Sequence, residues 1–469
     1  MNDQPNDQSN EQPSGLPSGQ PTSPPEFDPS APHHARPKLR RVRGFPVPVK
    51  TKDGKEQTLL GLADAQQISS KMIATLPAVQ AVLPQLDGTR TIDEIVQAVG
   101  QGLTADFLEK LVAQLDDAAL IEGPTFEALA EEMRREFDSS PHLPPGSTAQ
   151  FAEALVAQKL GQDTTDDQKR EQAPQELRAA LDAWIDQALA DADDPAFERL
   201  PAAVIAPHID YPRGWINYAS VWGRMRTTER PDRVLILGTN HFGQATGVCG
   251  CDKGYQTPLG VSPIADDLLD ALTGELGDDH AAVLMEHRFD HEREHSIELQ
   301  IPWIQHCLGD ADTGEHVPVL GVLVHDPTVN EGDSYDGTGL AYQPFVEAME
   351  RALARLGGTT LIVSSADLSH VGPAFGDEQP MTNHENAEAE RQRIQQHDRD
   401  MLELVATNKP DDLVASMSWQ QNPTRWCSVG NMTAAMRLAK PDTIRILNYA
   451  GAADEQGTAL VTHAALAMS

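Results

Sequence analysis

The stretch from Arg233 to Gly243, Arg-Val-Leu-Ile-Leu-Gly-Thr-Asn-His-Phe-Gly, constrains the fold of this chain more than any other. Val234 to Leu237 is an apolar run without polar alternation, stopped by Gly238 and followed three residues later by His241. A strand with one wet face alternates, whereas an unbroken apolar run suits a strand covered on both faces, as in a parallel α/β sheet. Ligands of such sheets bind beyond the carboxyl ends of the strands. A histidine there is placed for chemistry. The pattern recurs where Ala202–Ala206 runs into Pro207-His208, and where Thr360–Val363 runs through Ser364-Ser365-Ala366-Asp367 to His370.

The region from 200 to 469 alternates between strand and helix signals. Strands are expected at 202–206, 233–237, 317–324, 359–365 and 443–449, and helices at 263–274, 296–307, 343–356, 384–406, 410–417 and 429–438. This alternation predicts an α/β domain, an open and mostly parallel sheet with helices on both faces. Upstream, residues 1–38 are rich in Gln, Pro, Ser and Asn and are expected to form a disordered tail. Residues 39–125 predict a small α+β module. Val47 and Val49 before Asp53-Gly54 read as a hairpin arm, and Thr91 with Glu94 reads as a capping box. Phe107, Leu108, Leu111, Val112 and Leu115 share a helical face. Residues 126–199 predict a helical spacer with two apolar faces, Phe126/Leu129/Met133/Phe137 and Leu177/Leu181/Trp184/Ile185/Leu189.

With 71 acidic and 36 basic residues the net charge is -35. That charge opposes binding to nucleic acid or an anionic membrane, so neither is expected as a partner. The start Met1-Asn2-Asp3-Gln4 has neither the basic nor the apolar part of a secretory signal, and no run approaches the ~18 apolar residues of a membrane span. Cys249, Cys251, Cys307 and Cys427 are too few for a disulfide framework, so a reducing cytoplasm is predicted. The Cys249-x-Cys251 pair is read as core rather than ligand, and His384 and His397 as lying on a solvated helix face.

Several motifs occur in a fixed order: Ala206-Pro207-His208-Ile209-Asp210-Tyr211-Pro212-Arg213-Gly214, Leu237-Gly238-Thr239-Asn240-His241, Tyr255-Gln256-Thr257-Pro258-Leu259-Gly260, Glu294-His295-Ser296-Ile297-Glu298, Ser364-Ser365-Ala366-Asp367-Leu368-Ser369-His370 and Cys427-Ser428-Val429-Gly430-Asn431. Together they resemble the Memo family, which includes the bacterial AmmeMemoRadiSam system protein B and has a fold similar to class III extradiol dioxygenases. The resemblance implies a metal site of His208, His241 and Cys427, with Asp367, His370 and His295 as catalytic groups in the same pocket. Two imidazoles and a sulfur leave open positions on an iron or copper ion, and they also suit zinc. Asp367 would orient an imidazole and His370 would exchange a proton with substrate. The pattern is not followed throughout. Ile209-Asp210 stand where small residues and glycine are usual, which leaves Asp210 open as a ligand, while Phe242 replaces a second histidine and Ser428 a glycine. Upstream, Leu83-Pro84-Gln85-Leu86-Asp87-Gly88-Thr89-Arg90-Thr91-Ile92 resembles PqqD-like winged-helix modules, which implies a protein partner.

Three functions follow as expectations. The first is a non-haem dioxygenase-like oxidoreductase acting on a small molecule. The second is a non-catalytic protein that holds a peptide or works beside a radical-SAM enzyme. The third is a zinc metalloprotease, because His291-Glu292-Arg293-Glu294-His295 satisfies H-E-x-x-H, a signature that needs both imidazoles on one face of a helix.

Overall fold

The computed structural model describes residues 25–50, 56–100, 102–161, 163–310, 313–382 and 385–469. Residues 1–24 of the expected tail, the Asp53-Gly54 turn and His384 lie outside the described residues. The chain divides into two compact units, 1–132 and 133–469.

In the first unit, Val42–Lys50, Glu56–Asp64 and Met72–Thr75 form a three-stranded antiparallel sheet. The helix Ile92–Val99 starts at the expected capping box of Thr91 and Glu94, and Ala105–Asp117 buries Leu108, Leu111, Val112 and Leu115. These side chains close a core with Leu60, Leu62, Ile95 and Ile121. Residues 25–38, which by composition belong to the tail, are folded where described. Pro32–Ala35 makes a helical turn, His34 stacks on Phe27 at 5.2 Å, and Lys38 bridges to Asp87. An aromatic ring buried against this core supplies the stabilisation that the polar composition hides.

The second unit is built on an eight-stranded sheet. Its strands are β1 (Ala203–Ala206), β2 (Arg233–Gly238), β3 (Cys249–Gly250), β4 (Val319–Leu323), β5 (Thr360–Ser365), β6 (Asp367–Val371), β7 (Ile444–Ala453) and β8 (Leu460–Met468). The order is β6-β8-β1-β5-β2-β4-β3, with β7 on β8. The central four, β1, β5, β2 and β4, are parallel, while β8 and β3 run against them. The helices used below are α1 (Ser147–Leu160), α2 (Asp166–Leu189), α3 (Tyr211–Trp222), α4 (Asp266–Leu276), α5 (His295–Glu298), α6 (Ile301–Leu308), α7 (Tyr342–Arg355), α8 (Ala387–Ala406) and α9 (Val429–Ala439).

Alternate residues of the central strands enter opposite cores. Ala203, Ile205, Leu235 and Leu237 pack with Leu268 of α4, Phe345 of α7 and Met432 of α9. Val204, Val234 and Ile236 pack with Leu181 of α2, Trp222 of α3 and Trp303 of α6. Helices on both faces are why these strands carry no polar alternation. The expected helix 296–307 is two helices, and Pro302, which has no N–H to close a turn, stands in the first turn of the second. Neither α3 nor β8 is anticipated by periodicity. Asp210 caps α3 by accepting from Arg213 N, but Pro212 and Gly214 obscure the helix. β8 is alanine-rich and lacks the β-branched enrichment that marks a strand.

Helix α1 is tied to the sheet by one carboxylate. Glu298 accepts from Gly146 N at 2.8 Å, Ser147 N at 3.0 Å, Thr148 N at 3.0 Å and Thr148 Oγ1 at 2.6 Å. It satisfies the free N–H groups of the first turn and places a negative charge at the positive end of the helix. Glu298→Ala is expected to lower the unfolding free energy by about 2 kcal/mol. Urea unfolding followed by far-ultraviolet circular dichroism measures this, and an unmoved midpoint would show that the cap adds nothing.

Candidate metal centre

β1, β5 and β2 end at the same edge because they are parallel and in register, with Ser364 opposite both Ile205 and Leu237 and Ser365 opposite Ala206. His208 follows β1 by two residues and His241 follows β2 by three. β1 is short, so the chain leaving β5 crosses over its end, where Ala366 N bonds Ala206 O at 2.7 Å. It then continues as β6 alongside β8. This crossing sets Asp367 against His208. Cys427 immediately precedes the segment that enters α9, and its Sγ lies 3.3 Å from His208 Nε2. The ligand atoms of His208, His241 and Cys427 all lie within 4.8 Å of one another.

Hydrogen bonds settle which imidazole nitrogens point inward. His208 Nδ1 faces Ser365 O at 3.0 Å, an acceptor, so Nδ1 carries the proton and Nε2 the lone pair. Asn431 Nδ2 supports the same carbonyl at 2.9 Å. His241 Nδ1 meets Glu294 Oε1 at 3.0 Å, and Glu294 Oε2 accepts from His241 N at 2.7 Å. Both rings are therefore held from behind, as ligating histidines are. Two imidazole nitrogens and a sulfur, converging within 4.8 Å of one another, form a donor set that fits a transition-metal ion once His241 gives up its second proton.

The surrounding groups divide by charge. Burial opposes ionisation of Glu294, yet the imidazoles of His241 and His295 hold its carboxyl well below the usual range. For His241, desolvation is outweighed by Glu294 and Cys427, so its affinity for a proton is raised well above normal. His208 is pushed well below its ordinary value by burial and by the neighbouring imidazoles. Burial raises Asp367 to about 7 even though His208 N and Ile209 N bond to it.

The other expected residues divide as follows. His295 joins the cluster, with ring centroids 4.7 Å from His241 and 5.6 Å from His208, and its Nδ1 lies 3.3 Å from Glu294 Oε1. Burial lowers it to about 4. The grouping of His241, Glu294 and His295 is a hydrogen-bonded clamp, since one carboxylate oxygen faces both imidazoles. His370 lies outside the ligand group. Its Nδ1 bonds Leu368 O at 2.9 Å, its ring packs on Phe375, and burial lowers it to about 4. Asp210 caps α3 and pairs with Arg213, and it belongs to no ligand group among the described residues. Cys249 and Cys251 are buried free thiols of the core.

The protease arrangement is not formed. Arg288–Glu292 is a 3₁₀ turn, Arg293 is non-helical, and a new helix starts at His295. His291 turns away to Tyr255 OH at 3.1 Å and Cys249 O at 3.2 Å. The two imidazoles do not share a helix face, so the spacing is a coincidence of sequence.

Glu294, which holds His241, stands in one of the ordered motifs, but sequence reasoning gives it no role, because a run of charges reads as a solvated surface. A further cluster, His33, His34 and Asp116, lies in the first unit. There His34 Nδ1 accepts from Asp28 N at 2.9 Å, so Nε2 carries the proton and donates to Asp116. That cluster is a hydrogen-bonded clasp rather than an open donor set.

A cavity of about 720 Å³ borders Cys427 and is lined also by Thr239, Tyr335, Arg425 and Trp426, while His208 and His241 are not among its lining residues. Gly238 lets α5 approach it. A Cβ there would sit 2.6 Å from Ser296 Oγ, which itself bonds Thr239 N and O at 3.0 Å each.

A profile of Memo-like proteins matches residues 168–468, which include every residue of this centre. The chain belongs to the Memo family. Among its relatives, a MEMO1 family protein of Methanopyrus kandleri is 26% identical over 295 residues, covering 61% of this chain and 89% of its own. One of Thermotoga neapolitana is 25% identical over 263 residues, covering 55% and 79%. Residues 1–167, upstream of the profile match, include the first unit.

To bind an ion at this Memo-family centre the imidazole of His241 must be neutral, and Glu294 favours its protonated form. Metal affinity is therefore expected to fall as pH falls, with His241 protonation competing at higher pH than that of His208. Glu294→Ala is expected to weaken affinity about 10–100-fold at neutral pH and to move the remaining proton competition to lower pH. Metal titrations at several pH values test both, and an unchanged pH profile would remove Glu294 from the role.

Proposed function

We propose that this Memo-family chain binds a redox-active metal ion, iron or copper, through His208 Nε2, His241 Nε2 and Cys427 Sγ, and acts on a small molecule admitted by the cavity that Cys427 lines. The observation that supports this most is the pair of imidazoles fixed from behind, by Ser365 O and by Glu294, with their free nitrogens converging near one sulfur. A purely structural histidine has no need of an unshared nitrogen directed at a thiol.

A bound iron or copper ion would supply redox and Lewis-acid chemistry. The chain's own residues would handle protons and water. With Nδ1 committed to Leu368 O, His370 has Nε2 open as an acceptor, and at about 4 it is neutral at pH 7, so it suits accepting a hydrogen bond from a bound hydroxyl rather than holding its proton. Asp367, raised to about 7 by burial, suits holding or releasing one near neutrality. Phe242, packed 5.6 Å from the His295 ring, covers one side of the cluster and limits water there.

A second reading is a binding protein that works beside a partner. It is favoured by an apolar cavity of about 320 Å³ in the first unit, lined by Val79, Val82, Leu103 and Phe107 with exposed Leu76 at its rim. In that reading the metal would stabilise a docking surface. Among the described residues no helix is long and apolar enough to cross a membrane.

The test is metal analysis of protein purified without added metal, repeated on His208→Ala and Cys427→Ala. Near-stoichiometric iron or copper in the parent, lost in both variants, is the expected result. Retention in both would refute the site. Oxygen uptake by the loaded protein with catechol-type compounds separates the readings, since none at full metal occupancy would favour the binding protein.

A further inference from the structure

We propose that Asp398 is a positioning residue for the Cys427 sulfur and acts through Trp426, whose indole it accepts from. The inference rests on the metal-centre reading above. Asp398 lies in α8 and is wholly buried. Four side chains donate to its carboxylate, and they come from four separate stretches. Oδ1 accepts from Ser369 Oγ at 2.5 Å and from Trp426 Nε1 at 2.8 Å. Oδ2 accepts from Tyr449 OH and Thr462 Oγ1, each at 2.7 Å. No cation pairs with it among the described residues.

A buried carboxylate is unfavourable unless its acceptor capacity is filled, and a buried donor left without an acceptor is unfavourable too. The two oxygens and four donors therefore hold one another in a single arrangement. The Oδ1 side bears on the centre. Ser369 lies between Leu368 and His370 on β6, and Trp426 immediately precedes Cys427. Around them, His370 N bonds Thr424 O at 2.8 Å, Arg425 Nε bonds His370 O at 2.8 Å, and Ser369 Oγ bonds Thr424 Oγ1 at 2.7 Å. The segment 421–427 needs such restraint, because Gln421, Asn422 and Arg425 all adopt positive φ, a conformation L residues hold only when their surroundings impose it. With the Trp426 indole pinned, the next residue has little freedom, and Cys427 Sγ is set 3.3 Å from His208 Nε2. The Oδ2 side holds β7 and β8, which carry none of the ligands.

This asymmetry makes the test. Trp426→Phe and Tyr449→Phe each delete one donor to the same carboxylate while keeping an aromatic ring in place. In the full-length protein, cobalt(II) alone serves as the probe. Its affinity and the sulfur-to-cobalt charge-transfer absorption are read beside the thermal midpoint. Both variants are expected to lose stability, but only Trp426→Phe is expected to weaken cobalt binding, by about tenfold or more, with a diminished charge-transfer band. Asp398→Asn, whose remaining oxygen still accepts from Trp426, is expected to keep more affinity than Asp398→Ala. Equal cobalt affinity in Trp426→Phe and Tyr449→Phe, with Cys427→Ala defective, would overturn the positioning role and leave the metal centre standing. Normal cobalt binding by Cys427→Ala would overturn the metal-centre reading and this proposal with it.

Discussion

The centre depends on the register of three parallel strands. β1, β5 and β2 are buried on both faces, and a slip of one residue would turn every side chain into the opposite core. Ile205 and Leu237 would exchange environments with Val204 and Ile236, which pack against a different set of helices. The apolar packing of the strands thus fixes where each of them ends. His208, His241 and Asp367 inherit their positions from that edge, through loops of two or three residues. The loops are short and tied down. Asp290 alone accepts from Asn240 Nδ2, Gln244 N and Ala245 N at 2.8 Å each, which shapes the turn after His241.

Two buried carboxylates close to the imidazoles are driven in opposite directions by their partners. Glu294 sits between two imidazoles and also accepts from His241 N and Ser296 N, so its anion is favoured. Asp367 has two backbone N–H groups but no adjacent cation of comparable strength, and burial prevails. Neighbouring titratable groups pushed apart in this way take different tasks. Glu294 is fixed as the anion that orients His241, while Asp367 is free to change its protonation near neutral pH. The division needs no metal ion, because burial at Asp367 and the imidazoles beside Glu294 already set it.

Much of this was legible in the sequence, and the gaps have physical causes. The apolar runs at 202–206, 233–237, 317–324 and 359–365 appear as strands within a residue or two, since burial on both faces leaves an unmistakable pattern. Periodicity does not find α3 or β8, where proline, glycine and alanine mask the propensity and tertiary packing decides the state. The H-E-x-x-H match fails for a similar reason. It presumes a continuous helix, and Arg293 interrupts it. Glu294 was hidden by its neighbours, for Asp290, Glu292 and Arg293 make the stretch look solvated although Glu294 itself is 2% exposed. Local composition cannot report that a charged residue will be enclosed by two imidazoles from elsewhere in the chain.

The departures from the Memo pattern fall around the donor set and leave it intact. Asp210 caps α3, and Phe242 covers the His295 side of the cluster. Ser428, in place of a glycine, is the departure closest to the chemistry. Its Oγ lies 3.1 Å from Cys427 Sγ and 3.4 Å from Thr239 Oγ1. Either group can donate in the free chain, but with the sulfur deprotonated on an ion the hydroxyl would be the donor and would draw electron density from it, one of the levers that set a metal's potential. A glycine offers no such donor. In the proposed centre, then, the two imidazoles and the sulfur would hold the ion, while the Ser428 hydroxyl beside the sulfur would adjust the charge that the sulfur offers it.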